Sequence, residues 1–211
     1  NAKKCNNWLS HTDAPFYSMC AQIENFEFGE GVEVIPYVLC YNMEKLQSIT
    51  LPSSLEEIDW SAFDGCSGIK TITIPNSVTT IGKSAFYGCS NLSTITLPNK
   101  ITSIEENTFA NCESLTSIEI PNSVTSIGEG AFRNCASLTS FTFGENISSI
   151  GSSVLSGCTN LKHVNWNVTS HADFYYIRPL FNSSLTSLSI GHILKRVPAY
   201  LCIELENLKN V

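Results

Sequence analysis

Apolar residues return along this chain at every twenty-third position. A leucine-like position recurs in successive units at Ile23, Leu46, Ile69, Leu92, Leu115, Leu138 and Leu161. A step that is longer by one position then leads to Leu185, and a step of the regular length leads to Leu208. A period this strict over most of a chain is typical of a tandem-repeat architecture.

Within each unit, alternating apolar and hydroxyl residues predict a short strand. In "LSTITLP" (92–98), Ile95 and Leu97 alternate with threonine, and isoleucine and threonine both favour strands. Pro98 has no backbone N–H to donate to a sheet, so we expect the strand to end before it. In "ITSI" (101–104), two isoleucines stand three residues apart, which fits either one tight turn or a short kinked strand.

The rest of each unit turns the chain back towards its start. Pro-Asn pairs at 75–76, 98–99 and 121–122 predict a corner. Glycines at 82, 128 and 151 allow a bend, and "SAFYGC" (84–89) returns the chain inward. Each unit therefore forms one coil of a solenoid, and a coil buries its apolar edge only by stacking on its neighbours.

Two columns of side chains are predicted to fill the core. The aromatic column contains Phe63, Phe86, Phe109 and Phe132, with Leu155 in the next unit. The cysteine column contains Cys20, Cys66, Cys89, Cys112, Cys135 and Cys158, with Met43 in place of one cysteine, and the last five cysteines are the predicted core residues. Cysteines in adjacent coils would stand about 4.8 Å apart with parallel Cβ vectors, whereas a disulfide needs Cβ atoms about 3.8 Å apart. We therefore expect buried, reduced thiols, and a bridge between Cys5 and Cys20 stays open.

We predict one solenoid domain over residues 1–211. It consists of an irregular N-terminal coil (1–22), regular repeats (23–166), an irregular coil (167–184) and further regular repeats (185–211). The last coil stops in mid-strand, so we expect a fragment of a longer array.

Composition narrows the classes of function. The net charge is −7, which argues against a nucleic-acid surface, because such a surface needs clustered Lys and Arg. No apolar run approaches the roughly 20 residues of a membrane-spanning helix. The chain begins at Asn1, so we expect that an N-terminal segment carrying any localisation signal is missing.

The repeated motif resembles a known family. The series L-P, V/I, I-G, A-F and C, clearest at 46–166, is similar to the leucine-rich repeats of the BspA-like, or Treponema-type, class. The resemblance covers roughly residues 20–211. It departs from the commoner leucine-rich repeat, which has Asn or Cys where this chain has Ser54, Ser77, Lys100 and Ser123.

The resemblance also implies a fold and a type of function. It implies a β-rich, right-handed coil with a parallel β-sheet on the concave face. Short turns, 3-10 segments or strands would lie on the convex face. It further implies a cell-surface or secreted protein of bacteria or protozoa, often linked to adhesion.

Candidate catalytic and metal-binding residues are few. The histidines are His11, His163, His171 and His192, and no C-x₂₋₄-C pair or known hydrolase or nucleotide-binding motif accompanies them. "SHTDAPFY" and "SHADFYY" each place His two residues before Asp, and turn chemistry explains both. The acidic pairs 56–57 and 105–106 are expected to face solvent. We therefore predict no catalytic, cofactor or metal site.

Three columns of the first strand are predicted to face outward, and most of their members are Ser or Thr. They are 24, 47, 70, 93, 116, 139, 162 and 186; 25, 48, 71, 94, 117, 140, 163 and 187; and 27, 50, 73, 96, 119, 142, 165 and 189. Recognition needs a break in this uniform surface, and aromatic or charged residues usually supply it. The ligand-binding candidates are Lys162, His163, Asn165, Tyr175 and Tyr176.

Three functional interpretations follow. The first is a non-enzymatic binding or adhesion protein that takes a protein or glycan ligand on the concave face or the irregular coil. The second is a structural spacer that displays another domain. The third is an enzyme with a site in the irregular coil. Four N-x-S/T sequons, at Asn91, Asn146, Asn167 and Asn182, bear on these only if the source glycosylates.

Overall fold

The chain folds as a parallel β-solenoid with almost no helix, in a computed structural model that describes residues 17–169, 184–191 and 207–209. The first strand of each coil is β1 (Asn25–Glu27), β3 (Ser48–Thr50), β5 (Thr71–Thr73), β7 (Thr94–Thr96), β10 (Ser140–Phe143), β12 (His163–Trp166) or β13 (Ser187–Ile190). The second is β2 (Val34–Ile35), β4 (Glu57–Ile58), β6 (Thr80–Ile81), β8 (Ser103–Ile104), β9 (Ser126–Ile127) or β11 (Ser149–Ile150). Among these residues, the one helix is a 3-10 turn, Tyr17–Gln22.

The pairing register follows the repeat. Ile72 pairs with Ile95 and Ile104 pairs with Ile127, so each residue lies beside its equivalent in the next coil. His163 pairs with Ser187 across the longer step, so the irregular coil leaves the strands in register. β7 ends at Thr96, two residues before Pro98, as predicted. The ambiguous "ITSI" segment is resolved as a two-residue strand, β8.

The strand columns are hydrogen-bonded in groups and are not continuous. The first column divides into β1–β3, β5–β7 and β10–β12–β13, and the coil between β7 and β10 contributes no strand. The second column divides into β2–β4–β6 and β8–β9–β11. Because each column is interrupted, several pairs of consecutive coils are joined by strand pairing in only one of the two columns.

A third set of backbone hydrogen bonds joins consecutive coils where one of the strand columns is interrupted. It runs through the turn that contains the aromatic column, and we call it the turn track. The amide of Phe63 donates to Ala85 O (2.8 Å), that of Phe86 to Thr108 O (2.9 Å) and that of Phe109 to Ala131 O (2.8 Å). The turn track therefore joins the coils on either side of the gap between β6 and β8, and it also continues through the coil that lacks a first strand.

The turn track depends on residues with left-handed backbone geometry, which recur once per coil in two columns. One column is Val38, Ser61, Ser84, Asn107, Gly130 and Ser153. The other is Asn42, Gly65, Gly88, Asn111, Asn134 and Gly157. Positive φ is unfavourable for most side chains and least so for Gly and Asn, which explains the composition of the second column.

The repeated glycines at 82, 128 and 151 have a different role from the bend expected of them. None of them has positive φ. A Cβ atom at Gly82 would lie 2.6 Å from the backbone N of Trp60, and Gly128 and Gly151 meet the backbone of the preceding coil in the same way. They are glycines because successive coils approach closely at that position.

One continuous hydrophobic core runs through the stack. The aromatic column is fully buried, and Phe63, Phe86, Phe109 and Phe132 stack at centroid distances of 5.4, 5.6 and 5.5 Å. Where Leu155 ends that column, the aromatic series continues through Phe141, Phe143 and Trp166 on the first strands. Aromatic rings thus fill the core in the coils where the turn supplies a phenylalanine and in the coils where the first strand supplies the ring.

Candidate functional site

The first strands present an exposed surface of hydroxyl side chains. In the three outward columns, nearly every described residue is exposed; Ser93, Thr186 and Ser187 are half-buried. Along β5 and β7 the alternation is complete, because Ile72 and Ile95 are buried while the flanking threonines are exposed. A flat run of Ser and Thr offers hydrogen bonds but no large anchor side chain.

This surface changes character at β12. Lys162, His163 and Asn165 are all exposed there, where the preceding coil has Thr139, Ser140 and Thr142. The Asn165 side-chain amide donates to the Thr142 hydroxyl at 3.2 Å, so it is held against the neighbouring strand. The structure therefore brings three of the five predicted ligand-binding residues together, His163 and Asn165 on β12 and Lys162 directly before it. Tyr175 and Tyr176, with the neighbouring Phe174 and Phe181, lie outside the described residues.

The strand that carries these residues is the central one of its sheet. β12 pairs with β10 on one side and with β13 on the other over four residues each. Elsewhere the described first strands pair two at a time. We call the exposed residues of β10, β12 and β13, together with Lys162, the β12 patch. Its backbone is fixed on both sides, so its side chains are presented from a rigid platform.

The cysteine column is buried, and its thiols make a contact that the sequence did not predict. The five predicted core cysteines have no exposed surface, and all the described cysteines are free thiols. The Cys89 thiol donates to Phe63 O at 3.2 Å and the Cys112 thiol donates to Phe86 O at 3.3 Å. Cys66, Cys135 and Cys158 make the same bond to a carbonyl 26 residues back.

Each of these carbonyls also has a second donor. Phe86 O accepts the backbone N–H of Cys89 at 3.3 Å in its own coil and the Cys112 thiol from the next coil. A cysteine therefore combines a small apolar side chain with a weak donor directed at a buried acceptor, and Ala would supply only the first property. Cys5 lies outside the described residues, so a bridge to Cys20 stays open.

The surroundings of these thiols suppress their reactivity. Burial raises the pKa of Cys40 to about 12 and raises the pKa values of Cys66, Cys89 and Cys112 well above the ordinary value. A hydrogen bond with Cys158, together with burial, does the same to the pKa of Cys135. Because the thiolate is the nucleophile and the metal ligand, these cysteines are chemically inert at neutral pH.

The remaining polar candidates have structural partners. Glu105 accepts the Ser103 hydroxyl at 2.6 Å, and Glu106 forms an ion pair with Lys83 at 3.2 Å. The sequon residues Asn91 and Asn146 donate their side-chain amides to carbonyls 24 residues earlier, both at 2.8 Å. Among the described residues, no three His, Cys, Asp or Glu side chains lie close enough together to hold a metal ion. His11, His171 and His192 lie outside that part of the chain.

Sequence reasoning did not find a cleft on the hydroxyl surface. Its volume is about 430 Å³, and its walls are residues 95–99 of one coil and 119–123 of the next. It opens where β7 has no strand partner in the following coil. The Ser123 hydroxyl lines it and is buried without a hydrogen-bond partner among the described residues. The apolar pattern of this coil matches that of its neighbours, and the one difference in the sequence is Glu119, where the adjacent coils have Thr96 and Thr142.

Comparison with known proteins agrees with this architecture. The family described as "BspA type Leucine rich repeat region" matches residues 11–135 and 89–209. A leucine-rich repeat protein of Treponema pallidum is 31% identical with a TM-score of 0.55, over 64% of this chain and 63% of that chain. The chain thus spans just under two thirds of that protein's length. No curated protein matches the chain.

Other solved structures are more distant. A leucine-rich repeat protein of Bacteroides ovatus is 21% identical with a TM-score of 0.46, over 91% of this chain and 67% of that one. The pneumococcal vaccine antigen PcpA is 19% identical with a TM-score of 0.47, over 90% and 62%. No helix in the described residues is long and apolar enough to cross a membrane. Since the family match extends over almost the whole sequence, this chain belongs to the BspA-type leucine-rich repeat family.

Proposed function

We propose that this chain is a non-enzymatic, cell-surface or secreted binding protein, and that the β12 patch contacts its protein or glycan ligand. The observation that carries the proposal is the replacement of Thr139, Ser140 and Thr142 by an exposed Lys, His and Asn one coil later. Nothing in the core requires that change, because the core residues Phe141 and Val164 lie on the opposite side of the same strands.

The surface location and the domain boundaries belong to the same proposal. The location is what membership of the BspA-type family implies for this chain. A single domain over residues 1–211 is supported by the regular stacking, which runs through the described coils without an internal boundary. Surface biotinylation of cells that produce the protein tests the location, and labelling only after lysis would contradict it.

The test of the site replaces the β12 patch with the surface of the preceding coil. The triple variant Lys162→Thr, His163→Ser, Asn165→Thr keeps the strand and changes only exposed side chains. The intact protein is screened against arrays of extracellular-matrix proteins and glycans, and each ligand is measured by biolayer interferometry. We expect the triple variant to bind at least about tenfold more weakly, because anchor residues contribute most of the affinity.

A matched control removes the same number of exposed residues elsewhere. Thr73→Ala, Thr96→Ala and Glu119→Ala lie on the hydroxyl surface, and Thr96 and Glu119 also line the cleft. If binding survives the β12 change and is lost in this control, the hydroxyl surface or its cleft is the site. If no ligand binds the intact protein, the near-identical hydroxyl columns favour the structural spacer.

A further inference from the structure

Trp60 is exposed where the repeat does not require an aromatic residue. More than half of its surface (53%) faces solvent, although it follows shortly after β4. The equivalent positions in other coils are Tyr37, Lys83, Glu106, Glu129 and Ser152. Since the fold accepts charged and small polar residues there, packing does not explain an indole at this position.

The neighbours of Trp60 hold the ring without covering it. The Tyr37 ring lies 5.3 Å from the Trp60 ring, centroid to centroid, and is tilted by 43°. On the other side, Lys83 is turned towards Glu106, with 3.2 Å between Lys83 Nζ and Glu106 Oε2. That ion pair directs the lysine away from the indole. Trp60 is therefore supported by Tyr37 and left open to solvent.

Hydrogen-bonding groups border the exposed ring. Asp59 Oδ1 accepts the backbone N–H of Trp60 at 2.6 Å, which fixes the carboxylate against the backbone that carries the indole. Asp59 Oδ2 makes no hydrogen bond within the described residues. The Trp60 carbonyl accepts the Val38 amide at 3.3 Å, so the backbone under the ring is tied to the preceding coil. The residue that precedes the exposed ring thus carries a fixed hydrogen-bond acceptor.

We propose that Trp60, positioned by Tyr37 and flanked by Asp59, is a binding site for a neutral β-linked oligosaccharide. A pyranose with equatorial substituents has an apolar C–H face that stacks on an aromatic ring. Its hydroxyl groups donate to a carboxylate at the edge of that ring. The carboxylates near the indole and the net charge of −7 disfavour sulfated or sialylated glycans.

A sugar fits this surface better than a protein partner does. A stable protein interface buries about 800 Å² on each partner around an apolar centre. The other large apolar side chain that is well exposed in the described chain is Met19, and the column beyond Trp60 is charged. Trp60 comes shortly after the second strand of its coil, and that coil lies several coils before β12. The proposal is therefore independent of the β12 patch.

The experiment measures binding of cellopentaose and chitopentaose to the intact protein by isothermal titration calorimetry and ligand-observed saturation-transfer NMR. Trp60→Lys installs the residue that the next coil carries at this position, so the fold is expected to accept it. We expect saturable binding of at least one oligosaccharide, and a loss of about tenfold or more in Trp60→Lys. Tyr37→Ser should weaken binding less, and sialyllactose and heparin should not bind.

Two controls separate the possible outcomes. Lys83→Ser removes an exposed neighbour in the same column and should leave oligosaccharide binding unchanged, as should the β12 triple variant. The proposal is overturned if neither oligosaccharide binds at millimolar concentration, or if Trp60→Lys binds as well as the parent. A large fall in the melting temperature of Trp60→Lys would also overturn it, because Trp60 would then be a packing residue.

Discussion

Removing one ring from the aromatic column tests how the stack is held together. Phe109 has no exposed surface and stacks between Phe86 at 5.6 Å and Phe132 at 5.5 Å. Phe109→Ala leaves a cavity in a close-packed core, which costs about 3–5 kcal/mol in unfolding free energy. The two lost ring contacts place the value towards the upper end of that range.

The chain supplies its own control for this experiment. Leu155 occupies the same column and is fully buried, so the coil tolerates leucine there. Phe109→Leu should therefore cost about 1–2 kcal/mol, well below the alanine variant. Urea unfolding followed by circular dichroism gives both free energies. Hydrogen exchange then shows whether coils 86–132 lose protection first, as nearest-neighbour stacking predicts.

The result that would refute this reasoning is a Phe109→Ala variant as stable as Phe109→Leu. Equal costs would mean that the ring's volume and its two stacking partners contribute little. Stability would then come mainly from the aliphatic core and from the backbone hydrogen bonds between coils. Uniform loss of protection along the whole chain would refute the nearest-neighbour part of the reasoning and indicate a single cooperative unit.

Three further predictions follow from burial and charge. Burial raises the folded-state pKa of Asp64 from 3.8 to about 6, so the folded protein holds this proton more tightly than the unfolded chain does. The contribution of Asp64 to stability therefore falls as the pH rises from about 4 to 6. Since solvent screens this partly exposed carboxylate, Asp64→Asn should stabilise the protein by only about 1 kcal/mol at pH 7 and by little at pH 4. Urea unfolding at the two pH values measures this difference, and an equal effect at both pH values would contradict the raised pKa. Iodoacetamide followed by peptide mass spectrometry should leave Cys66, Cys89, Cys112, Cys135 and Cys158 unmodified in the native protein and label them in urea; rapid native labelling would show that they are accessible. Ile95→Asp should cost about 3–5 kcal/mol because it buries an unpaired charge, whereas Thr96→Asp on the exposed side of the same strand should change the melting curve little; similar curves would show that Ile95 is not directed inward.

The sequence predicted the parts of this fold that depend on which side chains are buried. The alternation of Ile95 and Leu97 with threonine predicted a strand, because alternation indicates that one face is buried. The regular period predicted that the units stack. The left-handed positions were missed for different reasons. The column that includes Asn111, Asn134 and Gly157 contains only Gly and Asn, so composition could have identified it. The column that includes Val38 and Ser84 could not be identified in this way, because serine and valine carry no such preference.

Two sets of hydrogen bonds between coils could not be predicted from the sequence. The thiol–carbonyl contacts and the turn track join residues whose separation differs from the repeat period, and that offset follows from the path of the turn and not from any residue preference. Lys162, His163 and Asn165 were predicted because they interrupt columns that consist mostly of Ser and Thr. Trp60 differs from the polar residues at the same position in the coils that follow, but that column lies outside the first strands, where the binding surface was predicted.

The bonding of the cysteine column has a consequence for how such arrays change length. An array whose coils are joined by disulfides must gain or lose half-cystines in pairs. Its length is therefore constrained by its cross-links. Here each thiol remains a thiol and bonds to the backbone of an earlier coil, as Cys112 does to Phe86 O. A duplicated or deleted repeat unit would therefore leave every remaining cysteine with an equivalent acceptor. The array can lengthen or shorten by whole coils without rearranging any covalent bond between them.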